Sequence, residues 1–270
     1  VKYRPIVYTM SEYSTEQKLP NTPPPTIVPS SATAGKSIVI ENTTEKKTNP
    51  VKYYVKFSFA LTYILLLTTA TITLIEALRT KTPYVRHILN LETAISIVAG
   101  YFYSVFVSQI EKFSDKGVEV DWTDITKTRY IDWSITTPMM LLALCLVLAS
   151  NANKTVHLSV IGSIVLLNYV MLYIGYLGEN KTLNMNFASL FGFVPFIGMF
   201  YLIYNEFVKN AKSFANNVLF SLYLGIWSLY GIVYLFNEEY KNIAMNILDA
   251  TSKCFIGLGL WAYYSKVIVL

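Results

Sequence analysis

Charge is scarce in this sequence. Asp, Glu, Lys and Arg make up 14% of its 270 residues, where a soluble domain carries about a quarter. Set beside 53% hydrophobic residues and a mean hydropathy of +0.41, that deficit excludes an ordinary water-soluble domain and points to a membrane protein. Cysteine is nearly missing. Cys145 and Cys254 both lie in apolar runs, so neither a disulfide framework nor a thiolate metal site is expected. His87 and His157 have no Cys or His at ligand spacing. With no Gly-rich phosphate loop and no nucleophile elbow, conventional enzyme chemistry is not expected. The net charge of +5 comes largely from the start of the chain, where Lys2, Arg4, Lys18, Lys36, Lys46, Lys47, Lys52 and Lys56 cluster. A solvated tail explains that cluster more simply than attraction to lipid headgroups.

Aromatic residues are plentiful, with 21 Tyr and 15 Phe, and long apolar runs dominate from Tyr53 onward. Residues 1–50 are rich in Pro, Thr, Ser and Lys, and bury too little apolar surface to offset the entropy of ordering. A disordered tail is therefore predicted there. It lacks the pattern of a signal peptide, and because the chain opens on Val1, Met10 is one candidate start. Residues 51–270 are predicted to form an all-α bundle of seven transmembrane helices, at about 54–78, 86–109, 126–149, 155–177, 186–208, 214–236 and 242–268. One connector, Glu111 to Thr128, is long and acidic. Counting Lys and Arg in the loops leaves the orientation open. So do the sequons, since Asn42 and Asn180 favour an outer N-terminus and Asn153 opposes it.

Charges within the hydrocarbon core cost several kcal/mol unless paired, so each is a functional candidate. Glu92 stands in the second predicted helix, Arg129 and Asp132 in the third, Asp249 and Lys253 in the seventh. Asp249 and Lys253 are four apart and share one helix face; Arg129, Asp132 and Thr136 form a stripe on another. Bringing the two helices together would surround one lysine with two carboxylates and an arginine, a set of zero net charge. On spacing alone this is either a structural ion-pair network or a site where Lys253 forms an imine with an aldehyde. In the second case the carboxylates would neutralise the protonated imine.

The run Arg129-Tyr130-Ile131-Asp132-Trp133-Ser134-Ile135-Thr136-Thr137-Pro138 resembles the third-helix motif of the bacteriorhodopsin-type microbial rhodopsins. Leu248-Asp249-Ala250-Thr251-Ser252-Lys253 resembles their seventh-helix motif, and the likeness extends over about residues 53–268. The resemblance implies all-trans retinal bound covalently to Lys253 as a protonated Schiff base. It makes Asp132 the primary counterion and proton acceptor and Asp249 the second counterion, with Arg129 on their outward side. Trp133 and Trp227 would sandwich the polyene, with Tyr234 where a tryptophan is usual. Tyr230 and Tyr103 would hydrogen-bond near Asp249, and Thr136, Thr137, Pro138, Met140, Met171 and Gly175 would complete the pocket. The N-terminus would lie outside, in a plasma or host-cell membrane, in a homo-oligomer surrounded by lipid and with no nucleic-acid partner.

Two departures bear on function. Gly231 stands where the family usually has proline, and Ala143 stands roughly 16 Å beyond Asp132 along the helix, where outward proton pumps place a carboxylic donor. Glu92, roughly 9 Å from the inner end of its helix, either snorkels to the interface or faces the interior. Facing inward, it would act as a substitute proton donor or as a ligand for cations in a water-filled path. Rhodopsins similar to this one occur in giant viruses of marine protists and include light-gated cation channels and weak outward proton pumps. Ser58 and Asn246 would add polar groups to a pore. The reading adopted is a light-gated channel for monovalent cations; the alternatives are an outward proton pump and a sensor signalling through a partner. Because the chain ends close to the seventh helix, no appended signalling domain is expected.

Overall fold

A computed structural model describes residues 50–115, 119–211 and 213–268. The predicted tail lies outside the described residues, apart from Pro50, which opens the first helix. The helices are α1 (Pro50–Arg79), α2 (Pro83–Asp115), α3 (Trp122–Asn151), α4 (Leu158–Glu179), α5 (Met185–Ile203, continued by a wider π-type turn at Tyr204–Val208), α6 (Phe214–Val233) and α7 (Glu238–Tyr264, widened to π-type winding over Ala250–Phe255). Among the described residues, seven helices are long and apolar enough to cross a membrane. The fold is the expected all-α seven-helix bundle, and the chain is an integral multi-pass membrane protein.

The helix ends depart from the hydropathy-based limits in both directions: α4 starts later, at Leu158, and α6 and α7 end earlier, at Val233 and Tyr264, while polar caps start α3 and α7 ahead of their apolar stretches. The Asp121 side chain accepts from the N–H groups of Thr123 and Asp124, starting α3 four residues before the predicted limit. Asn237 accepts from the Tyr240 N–H and starts α7 at Glu238, so Lys241 is a helical residue and not the loop charge that the sequence suggests. Part of the acidic connector likewise belongs to α2, which runs on to Asp115.

Side chains sort inside-out relative to a soluble protein. Ile64, Leu78, Leu166, Val194, Ile197 and Ile247 are exposed on the outer faces, while Glu92, Arg129, Asp132, Asn246, Asp249 and Lys253 are buried within. The starts of α1, α3, α5 and α7 define the near end of the bundle, and the starts of α2, α4 and α6 define the far end. At the far end, Leu141, Leu144, Leu148, Met199, Phe200, Tyr223 and Trp227 pack into one apolar core. Towards the near end, Phe59, Tyr103, Phe106 and Ile125 form a second.

Two backbone irregularities are met by side chains. Pro138 cannot donate to the Ser134 carbonyl, and the Tyr169 hydroxyl of α4 donates to that oxygen instead, at 3.1 Å. At the far end, Asn216 of α6 donates to the carbonyls of Leu148 (2.9 Å) and Phe207 (3.1 Å), and accepts from Asn151 at 2.9 Å. One buried amide thus joins α6 to the end of α3 and to the π-type turn after α5. Replacing Asn216 by Ala removes the side-chain donor to the Phe207 carbonyl and the acceptor of Asn151, while Leu148 keeps the Ala152 N–H, and is expected to cost about 1–3 kcal/mol. Thermal unfolding of the purified protein should show the loss, with the exposed Asn217→Ala as a nearly silent control.

Candidate functional site

The ionic stripes of α3 and α7 meet in the middle of the bundle. Lys253 Nζ donates to Asp132 Oδ2 at 2.8 Å and lies 3.4 Å from Asp249 Oδ2. Arg129 is 3.6 Å from the same Asp249 oxygen. All four side chains are at most 5% exposed, so two cations and two anions neutralise one another in a dry interior. The two carboxylates are held differently. Asp249 accepts from Tyr230 (2.7 Å), Tyr103 (2.8 Å) and Trp133 Nε1 (3.3 Å). Asp132 has one oxygen on Lys253, and its Oδ1 meets no hydrogen-bond partner. Asp249 is therefore pinned from α2, α3 and α6, while Asp132 keeps a free lone pair beside the lysine.

Towards the near end, residues that the sequence left scattered join this network. Asn246 accepts from Arg129 at 2.8 Å, lies 3.1 Å from the Tyr103 hydroxyl, and donates to Ser58 at 2.9 Å; Thr62 of α1 donates to its carbonyl. Asn242 accepts from Arg129 at 3.0 Å. The guanidinium carbon also lies 5.1 Å from the Phe106 ring centre and 5.5 Å from that of Phe59, so aromatic faces supply part of its setting. One residue further, Lys241 bridges Glu179 of α4 and Glu238, each at 2.9 Å. The sequence reading did not find this pair.

Lys253 also borders a cavity enclosing about 820 Å³ of space between side chains, part of it open to the outside. Of the residues expected in a pocket, Trp133, Thr137, Met140, Met171, Gly175, Trp227, Tyr230 and Tyr234 line it. Thr136 and Pro138 do not border it. Thr136 is buried against its own helix, donating to the Asp132 carbonyl, and Pro138 sits half-buried in α3. Helix α5 adds Ala188, Ser189, Gly192, Phe193 and Phe196, which the sequence reading left unnamed. Small residues at helical spacing beside phenylalanines on one face were the available signal. Gly231 has a packing role: a Cβ there would lie 2.5 Å from the Phe193 ring. Thr137 accepts from Asn168 of α4 at 2.8 Å, tying the cavity wall across two helices.

Glu92 faces inward at 3% exposure, which sets aside the snorkelling alternative. Its Oε2 lies 3.0 Å from where a Cβ on Gly257 would stand, one turn of α7 beyond Lys253. Ala143 is buried in the apolar core of α3.

Fold and site together define a class: a seven-helix membrane protein with a buried, neutralised lysine at the wall of an aromatic cavity. The family described as bacteriorhodopsin-like protein matches residues 54–267. The chain belongs to the bacteriorhodopsin-like family. Among curated proteins it is 29% identical to the blue-light absorbing proteorhodopsin of Gamma-proteobacterium Hot 75m4 over 163 residues, covering 54% of this chain and 64% of the relative. It is 26% identical to bacteriorhodopsin-II of Haloarcula marismortui over 203 residues, 69% of this chain and 76% of that one. The match thus spans just under two thirds of the proteorhodopsins' length. Among solved structures, the viral rhodopsin OLPVRII is 41% identical with a TM-score of 0.72, over 80% of this chain and 99% of that one.

Members of this family bind retinal as a Schiff base on a lysine. The residues present fit that group. An amine borders an apolar, aromatic-lined cavity, Gly175 and Gly231 leave room where a Cβ would collide with Tyr130 and Phe193, and the buried Trp227 Nε1 points to no protein partner.

The Lys241–Glu179 pair yields a prediction of its own. Lys241→Met leaves Glu179 buried beside Glu238 with no cation, and is expected to cost about 3–5 kcal/mol. Adding Glu179→Gln to Lys241→Met should recover part of that loss, which a double-mutant cycle of thermal unfolding would measure.

Proposed function

We propose that Lys253 carries all-trans retinal and that the protein is a light-gated cation channel. Bound retinal supplies light absorption and isomerisation; the work of the protein is to neutralise, accept charge and conduct. Asp132, 2.8 Å from Lys253 Nζ, is assigned as primary counterion and proton acceptor, because its Oδ1 is uncommitted. Asp249, saturated by Tyr103, Tyr230 and Trp133, is assigned as a fixed second counterion that orients the lysine. Trp133 and Trp227 flank the polyene.

The observation that carries the channel reading is a succession of buried polar residues on α1, α2 and α7, in one hydrogen-bonded set on each side of Lys253. It runs from Asn242 and Asn246, with Ser58, Thr62 and Tyr103, past Lys253 to Ser96, Thr69, Thr93, Thr73 and Glu92. Lone polar residues often only bridge helices; a run along one three-helix seam, ending in a carboxylate with no ion-pair partner, supports a path for cations. With the N-terminus outside, Arg129 and the Lys241 pair guard the outer mouth and Glu92 the inner one. The second reading, an outward proton pump, draws on one observation: Glu92 lies one turn beyond Lys253, on the side away from Asp249, where it would return a proton.

Two experiments test these assignments. Lys253→Ala is expected to give colourless protein after all-trans retinal is added, and retained colour would remove Lys253 from the role. Asp132→Asn is expected to shift absorption to the red, because losing the counterion raises the ground state more than the excited state; an unmoved band would reassign the counterion. For transport, voltage clamp of illuminated cells should give currents that reverse near the potential set by the cation gradients. Outward current at every voltage would instead mean a pump, and no current from coloured, inserted protein a sensor.

A further inference from the structure

We infer that Gly192 of α5 is a specificity-determining residue for the ring end of the bound retinoid: it keeps the cavity open at the wall across from Lys253, and so selects which polyene aldehydes the protein accepts. This rests on the reading of Lys253 as the retinal lysine, and adds recognition of the far end of that group.

Three glycines border the cavity, and they are not alike. A Cβ on Gly175 would lie 2.7 Å from the Tyr130 hydroxyl, and one on Gly231 would lie 2.5 Å from the Phe193 ring. An aromatic side chain already occupies the space beside each of those two, so both serve close packing of helices. Gly192 differs: a Cβ there would meet nothing within 4 Å.

The direction of that open space follows from α5 itself. Ala188, Gly192 and Phe196 recur every four residues and share one helix face. Ala188 and Phe196 are buried, whereas Phe191, Val194 and Ile197 on the other side of the helix are exposed. The face that carries Gly192 therefore looks into the bundle, and the room beside it belongs to the cavity that Gly192 borders, not to the lipid.

The cavity walls give that room a use. Helix α5 packs on α4 where Ala188 meets Gly178, and on α6 where Phe193 meets Gly231. Asp249, Ser252 and Lys253 of α7 form the wall at the amine, with Trp133 of α3 and Trp227 of α6 also lining the space. A retinoid joined to Lys253 through its aldehyde carbon has a stiff, extended conjugated chain, which carries its ring to the wall remote from the lysine. Any side chain added at Gly192 shortens the cavity from that end, against the ring and not against the chain.

The test follows growth of the visible band when aldehyde is added to the full-length, retinal-free protein. Two aldehydes are compared: all-trans retinal, and an acyclic polyene aldehyde of the same chain that lacks the ring. Gly192→Leu is expected to slow uptake of all-trans retinal by about tenfold, the lower end of what overpacking costs, and to leave the acyclic aldehyde within about twofold of wild type. Gly192→Ala should show the same preference in weaker form. Gly225→Leu, on the exposed face of α6 and equally free of neighbours, should leave both rates unchanged. Melting of the retinal-free Gly192→Ala protein checks the packing separately. With its Cβ in open space it should melt about 2 °C above wild type through helix propensity alone; a lower melting temperature means a packed position and overturns the inference. Equal slowing of both aldehydes by Gly192→Leu means general distortion, and unchanged rates for both mean that the ring does not reach this wall; either result overturns it. Wild-type protein that forms no band with either aldehyde rejects the Lys253 reading itself, a result distinct from both, and the assignment of Gly192 falls with it.

Discussion

Everything else in this bundle is arranged around one requirement: four charged side chains must share a dry interior. Each would cost several kcal/mol alone in the membrane core, and their attraction repays that cost only with good geometry and fully used hydrogen bonds. Asp249 meets the condition with donors from three other helices, which fixes the rotation of α2, α3 and α6 about α7. Arg129 meets it with Asn242 and Asn246 and two aromatic faces. Asp132 meets it with Lys253 alone among the described residues, so the network is distributed unequally between two aspartates.

The outline of the site was legible in the sequence because a membrane core makes charge conspicuous. Asp249 and Lys253 at i, i+4, and Arg129 and Asp132 at i, i+3, were few enough to be read as one cluster before any helix was placed. Ser58 and Asn246 were visible only as separate polar residues; that they share one hydrogen-bonded set with Tyr103 depends on the packing of α1 and α2 against α7. The Glu179–Lys241 pair was hidden because α4 runs on to Glu179 and the Asn237 cap starts α7 at Glu238, beyond their apolar stretches, so both charges read as loop residues. The α5 wall was hidden for the opposite reason. Ala188, Gly192, Phe193 and Phe196 carry no charge and no motif, and small residues spaced beside phenylalanines are a faint mark of a cavity wall in a chain this rich in apolar residues.

Gly231 shows how a departure from a family pattern can be read physically. A proline there would open the α6 hydrogen-bond ladder and favour a bend. Glycine instead lets the Phe193 ring of α5 press onto the α6 backbone, and the Ser189 hydroxyl donates to the Gly231 carbonyl at 3.3 Å. The exchange trades a flexible point for a close α5–α6 contact at the cavity.

That trade bears on where a light-driven change would be transmitted. Helix α6 contains no proline, is packed against α5 at Gly231, and is tied at its far end by Asn216 to α3 and to the turn after α5. A helix so held resists an outward swing. Helix α7 differs: around Lys253 it is wound in π fashion over Ala250–Phe255, where the hydrogen-bond ladder is already irregular and register changes are easier. Directly beyond that segment lies Gly257 with Glu92 against it. Under the proposed channel function, the softer element is thus the one bordering the polar residues of α1 and α2. Strain arising at Lys253 would then act on the α1–α2–α7 seam before it moved α6, on the side where the buried oxygens are.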